Sequence, residues 1–258
     1  MFYLEYSEIS GKVKAFADIV NNHQRSYKID KTSLITGNTP IVSSNTVARP
    51  LYMSTAMISS PTSSNFGTYS YSIIKSYTLL PQSVKTFPFI TPTIVLNYRL
   101  EATTYLESTG VIDGLFQRLF SIRPSEFLPS GTVTFYQTNG FCLGQGTIPD
   151  TSKNFTQTIA LGDDPDVHYT IQSVTTQVRQ TPAYGQDLNI TITVSNQKDQ
   201  QIVSVKLELT SGYSNTTFVN KNRNCKIIQD QITQSLIFTT TLKPAQEEKC
   251  TITVSQTN

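Results

Sequence analysis

The sequence predicts an all-β protein, with an N-terminal β-barrel or sandwich-like domain over residues 1–165 followed by an immunoglobulin-like β-sandwich over 166–258. Apolar residues alternate with small polar ones through several short runs, the pattern of strands with one buried and one wet face. Clusters of turn-forming residues separate those runs at the spacing of a multi-stranded sandwich. An Asn-Gly pair lies between two further β-prone runs, where it favours the tight turn of a hairpin.

Taken in chain order, "GKVKAFADIVNN" (11–22) and "YKIDKTSLITG" (27–37) read as two strands joined by a short polar loop. Residues 38–67 are dense in Ser, Thr and Pro and predict a long excursion, irregular or ordered by a partner. "YSYSIIKSYTLLPQSVKTFPFI" (69–90) returns to β-like alternation. In "VIDGLFQRLFSI" (111–122), Ile112, Leu115, Phe116, Leu119 and Phe120 follow helical spacing, whereas Phe116, Arg118, Phe120 and Ile122 follow strand spacing. Periodicity leaves both open.

"TFYQTNGFCLGQGTIPD" (134–150) holds Gly140, Gly144 and Gly146 close together. A phosphate-cradling P-loop needs Lys and a hydroxyl after its last glycine, and a dinucleotide loop opens a helix; neither requirement is met. Asn139-Gly140 instead suits a two-residue type I′ turn, which sets Phe135 opposite Gly144 and Tyr136 opposite Leu143. "LGDDPDV" (161–167) is then expected as the acidic turn that bounds the second domain. Beyond it, "YTIQSVTTQV" (169–178), "LNITITVSN" (188–196), "VSVKLEL" (203–209), "LIFTTTL" (236–242) and "CTITVS" (250–255) predict strands. "NQKDQQ" (196–201) and "KPAQEE" (243–248) predict turns between them.

At 258 residues, one large or two smaller domains are expected. Charged residues make up only 15% of the chain, and its polarity comes from Ser, Thr, Asn and Gln. Such a surface is wet but weakly charged, which suits a protein packed against many neighbours. The net charge is +2, and the densest basic run, "NKNRNCK" (220–226), holds only Lys221, Arg223 and Lys226. That falls short of the basic stripe that sequence-specific nucleic-acid binding needs. Glu5 and Glu8 interrupt the apolar stretch a signal peptide requires, and no run approaches the roughly 18 apolar residues of a membrane helix. A soluble chain that is neither exported by its own signal nor inserted in a membrane is therefore expected.

Three cysteines, Cys142, Cys225 and Cys250, are too few for a disulfide framework. Cys225 and Cys250 fall in different strands with another between them, so free, mostly buried thiols are the expected state. Without an export signal, the sequons at Asn154, Asn189 and Asn215 are expected to be unused.

The segment "EFLPSGTVTFYQTNGFCLGQGTIPDTSKNFTQTIALGDDPDV" (126–167) resembles a β-rich domain of unknown function that forms the C-terminal half of mucoidy-inhibitor-A-like proteins. The resemblance rests on Leu128-Pro129, Gly131, Tyr136, Leu143-Gly144, Ile148-Pro149, Leu161-Gly162 and Asp166-Val167. Weaker similarity in the same order extends it over most of residues 11–255. The family's preceding coiled coil has no counterpart in this sequence, and a family Asn is replaced around Arg123-Pro124. The resemblance favours strand for residues 115–122 and implies a fold, but it brings no established chemistry.

No residue is assigned a catalytic, cofactor-binding or metal role. His23 and His168 lack the partner spacing of metal ligands, and no nucleophile motif is present. Asp163, Asp164 and Asp166 lack the ligand spacing, central Gly and terminal Glu of a calcium loop, so they read as turn formers, as do Glu247 and Glu248. A non-catalytic building block of a large assembly is expected, most plausibly a virion capsid or minor capsid component bound to copies of itself and to other structural proteins. Its place would be the virion or a cytoplasmic assembly site. The alternative is an extracellular or cell-surface adhesion or glycan-binding module, with some of the 13 Tyr and 13 Phe as stacking platforms.

Overall fold

The computed structural model describes residues 2–7, 10–36, 63–65, 68–73, 76–106, 108–137, 140–180, 184–212, 215–220 and 225–257. These residues form strands and no helix. In chain order the strands are β1 (Phe2–Ser7), β2 (Ser10–Asn21), β3 (Tyr27–Ile29), β4 (Thr32–Thr36), β5 (Ser63–Asn65), β6 (Thr68–Ile73), β7 (Tyr77–Leu79), β8 (Ser83–Ile90), β9 (Thr93–Tyr105) and β10 (Gly110–Pro124). They continue with β11 (Gly131–Gln137), β12 (Cys142–Ile148), β13 (Gln157–Arg179), β14 (Gly185–Asn196), β15 (Val203–Thr210), β16 (Asn215–Asn220), β17 (Lys226–Gln229), β18 (Leu236–Leu242) and β19 (Gln246–Thr257). The strand alternative for residues 111–122 is the one found, since they lie wholly within β10. Of the predicted excursion at 38–67, β5 is a described strand; residues 37–62, 66 and 67 lie outside the described residues.

The chain divides into two units. One holds Met1–Asn97 and Phe120–Ile159, the other Tyr98–Leu119 and Ala160–Asn258, so β9, β10 and β13 each contribute residues to both.

In the first unit, β1 pairs in parallel with β11 and antiparallel with β2, and β2 pairs with β8. β11 and β12 form the hairpin foreseen around Gly140, but not through the two-residue turn expected. The Gln137 N–H donates to the Phe141 carbonyl at 2.8 Å and the Gly140 N–H to the Gln137 carbonyl at 2.9 Å, so three residues link the strands, with Gly140 left-handed at φ 88°. Asn139 lies outside the described residues. Phe135 does face Gly144, as expected, but Tyr136 faces Cys142 and not Leu143. The register shifts there because Leu143 is an extra residue, a β-bulge.

Aromatic side chains fill this unit. Tyr69 stacks on Phe127 at 3.7 Å, Tyr71 meets Phe89 edge-on at 5.5 Å, and Phe120 lies 4.8 Å from Phe135. The Leu128-Pro129 motif has a mechanical role: Leu128 and Thr151 exchange backbone hydrogen bonds of 2.9 and 2.8 Å, closing the segment around the hairpin.

Buried Tyr71 donates its hydroxyl to the Phe127 carbonyl at 3.3 Å. Burial pushes this phenol above its ordinary value, and Glu126, Tyr69 and Asp150 add to the shift. A phenol that titrates higher in the folded chain contributes stability that is whole below about pH 10 and is lost as the pH rises from there toward the folded value. Tyr71→Phe is therefore expected to cost about 1 kcal/mol at neutral pH, and the gap from wild type to narrow above about pH 10. Urea unfolding at neutral and alkaline pH checks both points.

The second unit is a β-sandwich of two layers. In one, β13 pairs with β14, β14 with β19, and β19 with β16. In the other, β9 pairs in parallel with β15, β15 with β18, and β18 with β17. The alternation read from the sequence supplies the shared core: Leu188, Ile190, Ile192 and Val194 of β14 and Ile252 and Val254 of β19 from one side, Val203, Val205, Leu207 and Leu209 of β15 and Leu236 and Phe238 of β18 from the other. From β10, Phe116 joins that core and meets Tyr169 edge-on at 5.4 Å, and Tyr169 lies directly over Gly114, where a Cβ would collide with its ring. A glycine under the ring is what allows it to lie flat against the strand.

Cys225 and Cys250 are joined in a disulfide with Cα atoms 5.8 Å apart, not held as free thiols. Cys250 faces inward from β19 while Cys225 enters β17 of the opposite layer, so the two meet across the core and not along a sheet. The remaining thiol, Cys142, is exposed where a buried one was expected. "LGDDPDV", expected as a turn, lies inside the continuous β13. Its burial there follows every third residue, with Leu161, Asp164 and Val167 buried. A left-handed Gly162 (φ 80°) and Pro165, which has no N–H for the ladder, kink the strand locally.

Candidate functional site

The candidate titratable residues are dispersed. His23 lies in the loop after β2, its backbone N–H bonded to Asn21 Oδ1 at 3.0 Å and its ring 6.0 Å from Tyr27. His168 is half-buried on β13, opposite Ser195 of β14. Glu247 and Glu248, expected as turn formers, belong instead to β19, paired with Ser195 and Val194 of β14, and the Thr240 hydroxyl donates to Glu248. Among the described residues, no three His, Cys, Asp or Glu side chains are grouped to hold a metal ion.

The kink in β13 gathers the most buried charge. Asp164 is 2% exposed, and its carboxylate accepts from Lys198 Nζ at 2.9 Å, from the Tyr98 hydroxyl at 3.3 Å and from the Asp166 N–H at 3.1 Å. Lys198 also lies 3.6 Å from Asp166. Lys198 is placed by Asn196, whose Oδ1 accepts the Lys198 N–H at 3.1 Å and whose amide donates to the Gln201 and Lys243 carbonyls at 2.8 and 3.0 Å. One buried asparagine thus clips the loop after β14 to the turn at Lys243, which is shorter than the 243–248 expected because β19 already begins at Gln246. A carboxylate satisfied by an ammonium, a phenol and its own backbone is suited to holding a strand and a turn together.

The outward faces of the sandwich differ. On β10 and β13, Thr170 donates to Asp113 at 2.6 Å, so the outward residues of the two strands present one face. That face carries Val111 at 60% exposure, Val174 at 47% and Leu115, whereas the register shift after Thr175 turns Val178 to the other face, opposite Gln186. Opposite-facing residues of these strands fill the core, so the alternation that buries one set delivers the other to solvent. Asp113 stands on the same face, and the neighbouring β14 and β19 set Thr191 opposite Thr251.

The face of β9, β15, β18 and β17 is polar and concave. A cavity of about 510 Å³ opens on it between Arg99, Glu101, Lys206, Lys226, Thr239 and Glu248. Cross-strand register lines up Glu101, Lys206, Thr239 and Lys226 in one row over all four strands. The short β17 is anchored by a turn in which Asp230 accepts the N–H groups of Ile232 and Thr233 at 2.8 and 3.2 Å, which holds its carboxyl below the usual value. Sequence reading missed this cavity. Its members are scattered over β9, β15, β17, β18 and β19, and only the pairing and packing of those strands bring them together.

The three sequons also fall in distinct settings. Asn154 is exposed in a turn with a left-handed φ of 63°, and Asn215 is exposed at the start of the edge strand β16. Asn189 lies within β14 and accepts the Thr253 hydroxyl at 3.0 Å.

No known protein family, curated protein or solved structure matches the chain.

Proposed function

We propose that this chain is a non-catalytic building block of a large assembly that acts through its surfaces, most plausibly a virion capsid or minor capsid component. The observation that carries the reading is the outward face of β10 and β13, where Val111, Leu115 and Val174 stand exposed beside the Asp113–Thr170 hydrogen bond. Apolar residues grouped on an otherwise hydroxyl-rich sheet are a surface for a protein neighbour. Copies of the chain and other structural proteins are the partners of this reading, with no sequence-specific nucleic acid among them. The same proposal takes the second unit as an immunoglobulin-like sandwich and the first as barrel-like, in line with the mucoidy-inhibitor-A-like domain that the motifs resemble.

A second reading has one specific observation in its favour. Disulfides form and persist in oxidising compartments, and Cys225–Cys250 therefore supports an extracellular or cell-surface binding module.

Sedimentation of the purified chain over a concentration series tests the assembly reading. Self-association is expected, and the paired substitution Val111→Asp with Val174→Asp is expected to abolish it while leaving thermal unfolding unchanged, because both side chains face solvent. A wild-type chain that stays monomeric at its solubility limit would count against the reading.

A further inference from the structure

We propose that the cavity on the outward face of β9, β15, β18 and β17 binds an acidic saccharide, with the sugar carboxylate held between Lys206 and Lys226. The proposal goes beyond the functions above and is compatible with either.

Register makes the arrangement specific. Thr239 of β18 faces Lys206 on one side and Lys226 on the other, so two ammonium groups flank one hydroxyl on the same sheet face. Neighbouring strands lie about 4.8 Å apart, which sets the two lysine backbones roughly 10 Å apart and lets their side chains converge on a single carboxylate. Lys226 makes no ion pair among the described residues. Among the described residues Lys206 has one ion pair, with Glu208 at 3.6 Å, a long and partly exposed contact that exchanges readily for a better acceptor.

The rest of the lining suits hydroxyls. Arg99 and Glu101 are paired at 2.7 Å along one side, where they offer a fixed donor and acceptor together. Ser204 and Thr241 hold their hydroxyls 3.1 Å apart, and Glu248 supplies a second carboxylate. Leu100 and Val205 border the cavity, but both are buried in the core and so present backbone. A cavity of about 510 Å³ accommodates a mono- or disaccharide. Three cations balanced by Glu101 and Glu248 disfavour a polyphosphate chain, which would meet both carboxylates, and favour one negative group within a hydroxyl-rich ligand.

The full-length protein, isotopically labelled, is titrated with 3′-sialyllactose and with trigalacturonate, and amide shifts are followed by NMR. Lactose serves as the neutral control and N-acetylglutamate as the non-sugar carboxylate. Either acidic saccharide is expected to shift amides around Lys206, Lys226 and Thr239, with affinity that falls as salt is added. Lys226→Ala and Thr239→Val, both at exposed positions, are expected to weaken binding about tenfold, a loss on the scale of one charge-assisted hydrogen bond. Absence of shifts with both acidic saccharides, or undiminished binding by Lys226→Ala, would overturn the site. Equal binding of lactose would overturn the role of the carboxylate, and equal binding of N-acetylglutamate the assignment to a saccharide.

Discussion

Replacing Cys225 and Cys250 together with alanine lowers the stability of the second unit by about 3 kcal/mol, the loop-closure entropy that a crosslink of this span removes from the unfolded chain. The bridge spans 25 residues of sequence and ties β19 of one layer to the entrance of β17 in the other. Without it the unfolded chain regains the freedom of that loop, while the native core loses only two sulfur atoms at its centre. Guanidinium unfolding of the variant checks the value. Reduction of the wild type with dithiothreitol is expected to shift the midpoint by a similar amount, and an unchanged slope assigns the loss to stability and not to a change in compactness.

Lys198→Met is the other large expected loss, about 3 kcal/mol, the lower end for removing one member of a buried ion pair because Lys198 retains 17% exposure. Asp164 would remain at 2% exposure with only the Tyr98 hydroxyl and the Asp166 N–H for its charge. The cost arises from the stranded carboxylate more than from the lost attraction, so Asp164→Leu in the Lys198→Met background is expected to restore much of the stability. A double-mutant cycle by urea denaturation measures that coupling. Additive losses in the two single variants would contradict the ion pair as described.

The strands of the second unit were legible because their alternation is strict: "LNITITVSN" and "LIFTTTL" bury the residues that the pattern picks out, Leu188, Ile190, Ile192 and Val194 in one and Leu236, Phe238 and Leu242 in the other. The hairpin around Gly140 was legible from turn chemistry, although its turn is one residue longer than expected and Phe135 meets Gly144 because the bulge at Leu143 makes up the difference. Its bulge at Leu143 was not, since a single extra residue leaves no mark in a pattern already interrupted by glycines. The disulfide was hidden because strand order in sequence reports neighbours within a sheet, whereas Cys225 and Cys250 meet between sheets. "LGDDPDV" carries turn-forming residues inside a strand, and they serve there to kink β13 and to bury Asp164 against Lys198. The row from Glu101 to Lys226 exists only in register, which a one-residue slip would place on the opposite face.

Sedimentation of native source material, followed by electron microscopy of the peak fraction, tests most directly whether this chain works as part of an assembly. The building-block account predicts that it travels with large particles, and for a virion component with particles that contain nucleic acid. Recovery of the chain solely as a free monomer would contradict it.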